Sequence, residues 1–170
     1  MKGQKILFAD LDGTLIETYT GKQFPQGIWD MKFKFDVWDK IKEMSPDYLF
    51  IVTNQGGIGR FVSEEDFEAK LDYVTAAIKH YIKNNTFLAA DAIYCPSIEK
   101  DDPLRKPNPG MLEYLYNRYE LNKYSKTEMC MIGDASGLPG NFSDSDKKTA
   151  ENFGIKYIDV NDFLKISFIN

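Results

Sequence analysis

The run Asp10-Leu11-Asp12-Gly13-Thr14 stands directly behind four apolar residues, Ile6-Leu7-Phe8-Ala9. An ionised carboxylate loses several kcal/mol of hydration on burial unless a cation or a metal meets it. Two such groups, separated by one residue at the end of a buried strand, call for a cation, a proton to exchange, or both. Gly13 allows a sharp turn. Thr14 is suited to cap a turn or helix and to donate to a phosphate oxygen.

Three further clusters each follow an apolar run. Thr53-Asn54-Gln55-Gly56-Gly57-Ile58-Gly59-Arg60 comes after Val52 and combines a hydroxyl, an amide and glycine-freed backbone N–H groups, a set that can cradle a phosphate. Arg105-Lys106-Pro107 offers a cation on a loop leading into a helix. Gly133-Asp134 follows Met129–Ile132, with Asp144 and Asp146 downstream. Taken singly, each is compatible with an ordinary solvated turn. Together they supply acids, a lysine and a hydroxyl/amide loop at the ends of separate strands. Phosphoryl transfer to a carboxylate needs that set: an attacking Asp, a divalent cation on the phosphate oxygens, and a lysine with N–H donors to stabilise charge. Oxygen-only ligands suit Mg²⁺ rather than zinc.

The elements that must position these groups alternate. Apolar runs at Ile6–Ala9, Tyr48–Val52, Ala92–Cys95, Met129–Ile132 and Ile155–Ile158 lack polar alternation, as strands covered on both faces do. Helices are predicted over Phe35–Met44, from Ser63 through Ile82, over Gly110–Tyr119 and over Ser145–Phe153. Ser63 is the N-cap of the second, and Gly154 closes the last. Phe67, Leu71, Val74, Ile78, Tyr81 and Ile82 mark one face of the long helix. Strand and helix in alternation predict an α/β fold, a doubly wound and mostly parallel sheet. Ligands of such sheets bind at the carboxyl ends of the strands, where all four clusters fall.

With 170 residues the chain is read as one domain, 1–170, with no linker, internal repeat or low-complexity tract. Its net charge of −5 argues against a nucleic-acid binder held by bulk electrostatics, though not against an enzyme gripping one end in a local groove. Cys95 and Cys130 lie in apolar, strand-like surroundings and suggest a reducing compartment. The start Met1-Lys2-Gly3-Gln4 runs at once into a strand, no signal peptide or membrane span is predicted, and a cytoplasmic protein is expected. His80 is expected in the last turn of its helix, Cys130 in the core, Phe33, Phe35 and Trp38 packed about the first helix, and Trp29 packed rather than stacked on a ligand.

In order and spacing the four clusters resemble the haloacid dehalogenase (HAD) superfamily of aspartyl-phosphate hydrolases. Thr18-Tyr19-Thr20-Gly21-Lys22-Gln23-Phe24-Pro25 looks like the T-x-S-G-K-x-F-P stretch of polynucleotide kinase 3′-phosphatase domains. Asn54–Arg60 with Glu64–Lys70, Gly133–Pro139 and Asn141–Asp146 resemble the same family. Leu138 and Leu112 depart from it, standing where the family commonly has Arg and Trp, and no G-x-x-x-x-G-K-[ST] loop is present, so a kinase half is not expected. Tyr94-Cys95-Pro96 and Arg105–Leu112 are similar to histidinol-phosphate and heptose-bisphosphate phosphatases of the superfamily, which carry a zinc loop there. With Cys95 alone remaining, no zinc is expected.

The resemblance implies that Asp10 is the nucleophile and that Asp12 is the general acid and then base. It implies Mg²⁺ held by the carboxylates of Asp10 and Asp134 and the backbone carbonyl of Asp12. Thr53, Asn54 and Lys106 would bind the phosphoryl oxygens, with Gly13 and Thr14 beside them. Asp146 would orient Lys106 or a metal-bound water, and Lys22, Arg60, Arg105, Lys147 and Lys148 would meet a nucleic-acid backbone. The cap is expected to be minimal or absent, which leaves an open site. The implied substrate is a polynucleotide 3′-phosphate; the alternatives are a small sugar or amino-alcohol phosphate, or a catalytically silent scaffold.

Overall fold

The computed structural model describes residues 3–22, 25, 27–83, 86–141 and 143–168. Gln23 and Phe24 of the Thr18–Pro25 stretch, and Phe142, lie outside the described residues. In chain order the regular elements are β1 (Ile6–Ala9), β2 (Ile16–Glu17), β3 (Lys32–Phe33), α1 (Phe35–Met44), β4 (Tyr48–Asn54), α2 (Glu64–Ile82), β5 (Ala89–Cys95), α3 (Gly110–Arg118), β6 (Met129–Gly133), α4 (Ser145–Phe153), β7 (Lys156–Asp159) and α5 (Val160–Phe163).

Five strands form one sheet in the order β5-β4-β1-β6-β7. Every pairing in it is parallel, with Ile6 opposite Tyr48 on one side and Met129 on the other. β1 is central because all four of its residues are apolar and fully covered. Alternate residues feed two cores: Leu7 and Ala9 pack with Val37, Ile41, Phe67, Val74 and Ile78 from α1 and α2, while Ile6 and Phe8 pack with Met111, Leu115 and Ala150 from α3 and α4. The doubly wound α/β sheet expected from the sequence is therefore present.

Several bounds differ from expectation. β4 runs on through Thr53 and Asn54, so these two residues end a strand rather than open a loop. β5 begins at Ala89, where pairing with Tyr48 of β4 draws Ala89–Asp91 into the sheet. β2 and β3 form a two-stranded antiparallel ribbon that was not expected, Ile16 facing Phe33. It folds back over the end of β1: Lys34 N–H donates to Leu15 O at 3.1 Å, and the Trp38 indole donates to the same carbonyl at 2.9 Å. At its outer end Trp29 is 68% exposed, contrary to the packed role expected, and Phe35 is half exposed. Ser63 caps α2 as expected, accepting from Asp66 N–H at 3.1 Å. Among the described residues, no helix is long and apolar enough to cross a membrane.

Cys95 at the end of β5 and Cys130 within β6 are both buried, and burial pushes the Cys130 thiol up to about 12. Neither thiolate is accessible in the native state. Ellman's reagent at pH 8 is expected to titrate neither thiol rapidly in folded protein and both in denaturant. Fast labelling of one thiol in the native state would show that the sheet is not closed around these strands.

Candidate active site

The carboxyl ends of β1, β4 and β6 lie side by side, and Asp10, Thr53-Asn54 and Gly133-Asp134 follow from that register. Asp10 is fixed by its own N–H, which donates to Ile132 O at 3.0 Å. Gly13 has φ +84°, and a Cβ there would stand 2.2 Å from Asp134 Oδ2. Only glycine allows the first loop to pass this close to the Asp134 carboxylate. Gly133 is tight for the same reason, since a Cβ would meet Asp146 Oδ2 at 2.2 Å.

Lys106 crosses the centre of the site. Its ammonium donates to Asp10 Oδ1 at 2.5 Å and to Asp146 Oδ1 at 2.6 Å, and the three side chains are almost wholly enclosed, Lys106 being 4% and Asp146 1% exposed. Burial alone would push the Lys106 pKa down, but the charges of Asp10 and Asp146 hold it well above the ordinary lysine value. Asp146 is fixed in turn by Ala135 N–H, which donates to Oδ2 at 3.1 Å. Of the two partners expected for Asp146, Lys106 or a metal-bound water, the structure places Lys106 against it.

Asn54 does not face an open phosphate position, as the sequence suggested. Its Nδ2 donates to Lys106 O at 3.0 Å and its Oδ1 accepts from Lys106 N–H at 2.9 Å. The side chain grips the main chain of the lysine on both sides. Thr14 is fully buried, and its hydroxyl has no hydrogen-bond partner among the described residues. Thr53 keeps its place beside the acids, its Oγ1 accepting from Gln55 Nε2 at 2.9 Å. Arg60 lies on an exposed turn after β4, and Lys22 is exposed in the connection between β2 and β3. Arg105 donates to Ser97 O at 2.5 Å, and Lys148 pairs with Asp144 at 2.6 Å on the surface.

Three residues that the sequence did not single out also reach the site. Gln55 Nε2 donates to Asp12 Oδ2 at 2.7 Å, and Lys70 Nζ lies 3.4 Å from Asp12 Oδ1. Lys34 donates to Gly13 O at 2.8 Å. Gln55 lies within the Thr53–Arg60 cluster, but nothing local separates Lys70 or Lys34 from solvated lysines.

One oxygen from each of Asp10, Asp134 and Asp146 falls within 4.8 Å of the others. Burial, with the charge of Asp146 added, pushes the Asp134 carboxyl up to about 6. Burial likewise pushes Asp10 up, against the pull of Lys106. Two ammonium groups, those of Lys106 and Lys70, pair with three carboxylates, Asp10, Asp146 and Asp12, and with Asp134 beside them the site remains in acidic excess. An all-oxygen, crowded and under-neutralised site of this kind fits a hard divalent cation such as Mg²⁺.

Comparison with known proteins agrees with this arrangement. Residues 5–164 match the family model described as polynucleotide kinase 3 phosphatase. The chain belongs to that family. A bifunctional polynucleotide phosphatase/kinase of Schizosaccharomyces pombe is 31% identical over 92% of this chain and 36% of the relative. The histidine biosynthesis bifunctional protein HisB of Legionella pneumophila is 30% identical over 92% of this chain and 41% of that protein. The chain thus spans about two-fifths of the length of these curated relatives. A protein of Thermoplasma volcanium named as a D-glycero-D-manno-heptose-1,7-bisphosphate 7-phosphatase is 28% identical over 82% of this chain and 91% of its own length. Among solved structures, a HAD-like phosphatase of Mesorhizobium loti superposes with a TM-score of 0.63 at 21% identity, covering 95% of this chain and 84% of the other. The D,D-heptose 1,7-bisphosphate phosphatase of B. bronchiseptica, solved with magnesium and phosphate, gives 0.62 at 17% identity over 95% and 96%. The fold is that of HAD-like phosphatases.

Removing the cation of a buried ion pair leaves its carboxylates uncompensated, typically at a cost of about 3–5 kcal/mol. Lys106→Met is therefore expected to lower the urea midpoint at pH 7 by a corresponding amount, whereas Lys148→Met, at the exposed Asp144 pair, should leave it unmoved. Equal effects of the two substitutions would contradict the buried triad.

Proposed function

We propose that this chain is a Mg²⁺-dependent phosphomonoesterase that works through an aspartyl-phosphate and removes 3′-phosphates from polynucleotide ends. The observation that carries the reading is the buried Asp10–Lys106–Asp146 triad, with Asp12 separately held beside it. Lys106 engages Oδ1 of Asp10, so Oδ2 is the oxygen that attacks phosphorus. As the new O–P bond forms, the bond to the leaving oxygen breaks and Asp12 delivers a proton to that oxygen. Asp12, now a carboxylate, takes a proton from water, which attacks the acyl phosphate, frees inorganic phosphate and restores Asp10. Lys106 and the Thr53 hydroxyl meet the charge on the phosphoryl oxygens. Asp10, Asp134 and the backbone carbonyl of Asp12 would hold Mg²⁺, which when bound offsets repulsion between carboxylate and phosphate. Asn54 acts indirectly, through the main chain of Lys106.

Three features support a polynucleotide end as the substrate. The family match spans almost the whole chain. Among the described residues the ribbon β2–β3 is the sheet element added to the main sheet, and we read the site as open to a bulky ester. Tyr19, Trp29 and Phe61 are strongly exposed on the segments that leave β1 and β4, where unstacked bases could lie against them. Lys22 and Arg60 on the same segments would meet the backbone phosphates. Two buried, unpaired cysteines suit a reducing compartment such as the cytoplasm. A small sugar phosphate is the second reading, favoured by the match to nearly the full length of the Thermoplasma relative.

Asp10→Asn is expected to keep the native circular dichroism spectrum and to lose turnover by several orders of magnitude. Residual turnover within about tenfold of wild type would remove Asp10 as nucleophile. Wild-type activity should vanish with EDTA and return with Mg²⁺; full activity in EDTA would sink the metal requirement. For the substrate, kcat/KM is compared between a 3′-phosphorylated oligonucleotide and histidinol phosphate or heptose bisphosphate at low and moderate salt. The oligonucleotide should win, and its rate should fall with salt through counterion release. A faster small phosphate, or an oligonucleotide rate flat with salt, would transfer the assignment to the second reading.

A further inference from the structure

Asp12 is held by two side chains, Lys70 and Gln55, to which the proposed mechanism gives no role. Lys70 lies on the face of α2 that carries Phe67, Leu71 and Val74, and it is only 8% exposed. A lysine on the apolar face of a helix is costly unless its charge is met. Its ammonium stands 3.4 Å from Asp12 Oδ1, the one carboxylate it reaches among the described residues, and 5.7 Å from the centre of the Phe67 ring. From the other side, Gln55 Nε2 bridges Asp12 Oδ2 at 2.7 Å and Thr53 Oγ1 at 2.9 Å. The two acids of the first loop therefore have separate cations: Lys106 for Asp10 and Lys70 for Asp12.

We propose that Lys70 and Gln55 are positioning residues that clamp Asp12 at the leaving-group side of the site. The proposal rests on the phosphatase reading above. Gln55 ties Asp12 to Thr53, so the acid is placed relative to the same hydroxyl that meets the phosphoryl group. Lys70 holds the other oxygen more loosely, since 3.4 Å exceeds the 2.7–2.9 Å of a tight charged hydrogen bond. That oxygen can turn to the leaving group without Asp12 losing its anchor to Gln55. The clamp also keeps Asp12 from swinging onto Lys106, whose two carboxylate partners are already in place. Misplacement of a reacting group by about 1 Å can cost on the order of 100-fold in rate.

The test uses leaving-group dependence, which a merely structural lysine would not alter. p-Nitrophenolate departs without protonation, whereas the alkoxide of a nucleoside 3′-monophosphate needs a proton from Asp12. kcat/KM reports the steps up to phosphoryl transfer, so the later hydrolysis common to both substrates does not enter. Lys70→Met is expected to lower kcat/KM for the nucleoside 3′-monophosphate by about 10–100-fold while changing p-nitrophenyl phosphate by no more than about threefold. Lys70→Arg should recover most of the loss. Gln55→Leu leaves the α2 face untouched but also frees the Thr53 hydroxyl, so it should lower both substrates, the nucleoside 3′-monophosphate by about tenfold more, and it decides the matter alone if Lys70→Met does not fold. Equal losses on the two substrates, or none on either, would overturn the clamp. If wild type hydrolyses neither substrate with Mg²⁺ present, the phosphatase reading itself falls and the clamp with it.

Discussion

The ammonium of Lys106, shared between Asp10 and Asp146, is the interaction around which this structure is arranged. Each of the three groups would be untenable alone at its depth, because a buried charge without a partner is among the costliest features a fold can carry. Their mutual dependence explains details that otherwise look unrelated. Asn54 closes both hydrogen-bonding positions of the Lys106 main chain, so the lysine cannot withdraw along its loop. Gly133 carries no side chain because Asp146 occupies the space. Gly13 is glycine because Asp134 lies against it.

The sheet serves this triad by register. Parallel pairing of β1 with β4 and β6 brings three strand ends to one edge, and the apolar residues of β1 face two cores that leave its backbone no freedom to slide. The ribbon β2–β3 and α1 then brace the first loop through Leu15 O and Gly13 O. The result is a rigid acidic floor beneath an edge flanked by exposed side chains, Tyr19, Trp29 and Phe61 among them.

Much of this was legible in the sequence. The uninterrupted apolar runs of β1, β4 and β6 suited strands covered on both faces, and the Ser63 cap and Gly154 stop bounded α2 and α4 at their ends. Asp10, Asp12 and Asp134 stood out because acids at the ends of buried strands need a cation, whereas Lys106, on the loop before α3, and Asp146, within α4, were singled out only by their combination with the other clusters and by the family resemblance. The rest depends on contacts between distant parts of the chain. Ala89–Asp91 has little intrinsic strand preference and joins β5 only through pairing with β4. β2 and β3, two residues each, are too short to leave a period. Lys70 reads as a solvated helix lysine until the fold sets Asp12 beside it, and Asn54 reads as a phosphate ligand until Lys106 arrives to take its amide. Thr14 carries the right hydroxyl in the right motif, but tertiary packing buries it.

The central claim is that Asp10 becomes phosphorylated during turnover. Its most direct test is a single-turnover reaction of radiolabelled p-nitrophenyl phosphate, whose leaving group needs no proton from Asp12, with wild type and with Asp12→Asn, quenched in acid and mapped by peptide. The account predicts label on the peptide that holds Asp10, transient in wild type and long-lived when the base needed for hydrolysis is gone. Phosphate release from wild type with no label trapped on Asp10 in either protein, or label trapped on another side chain, would contradict it.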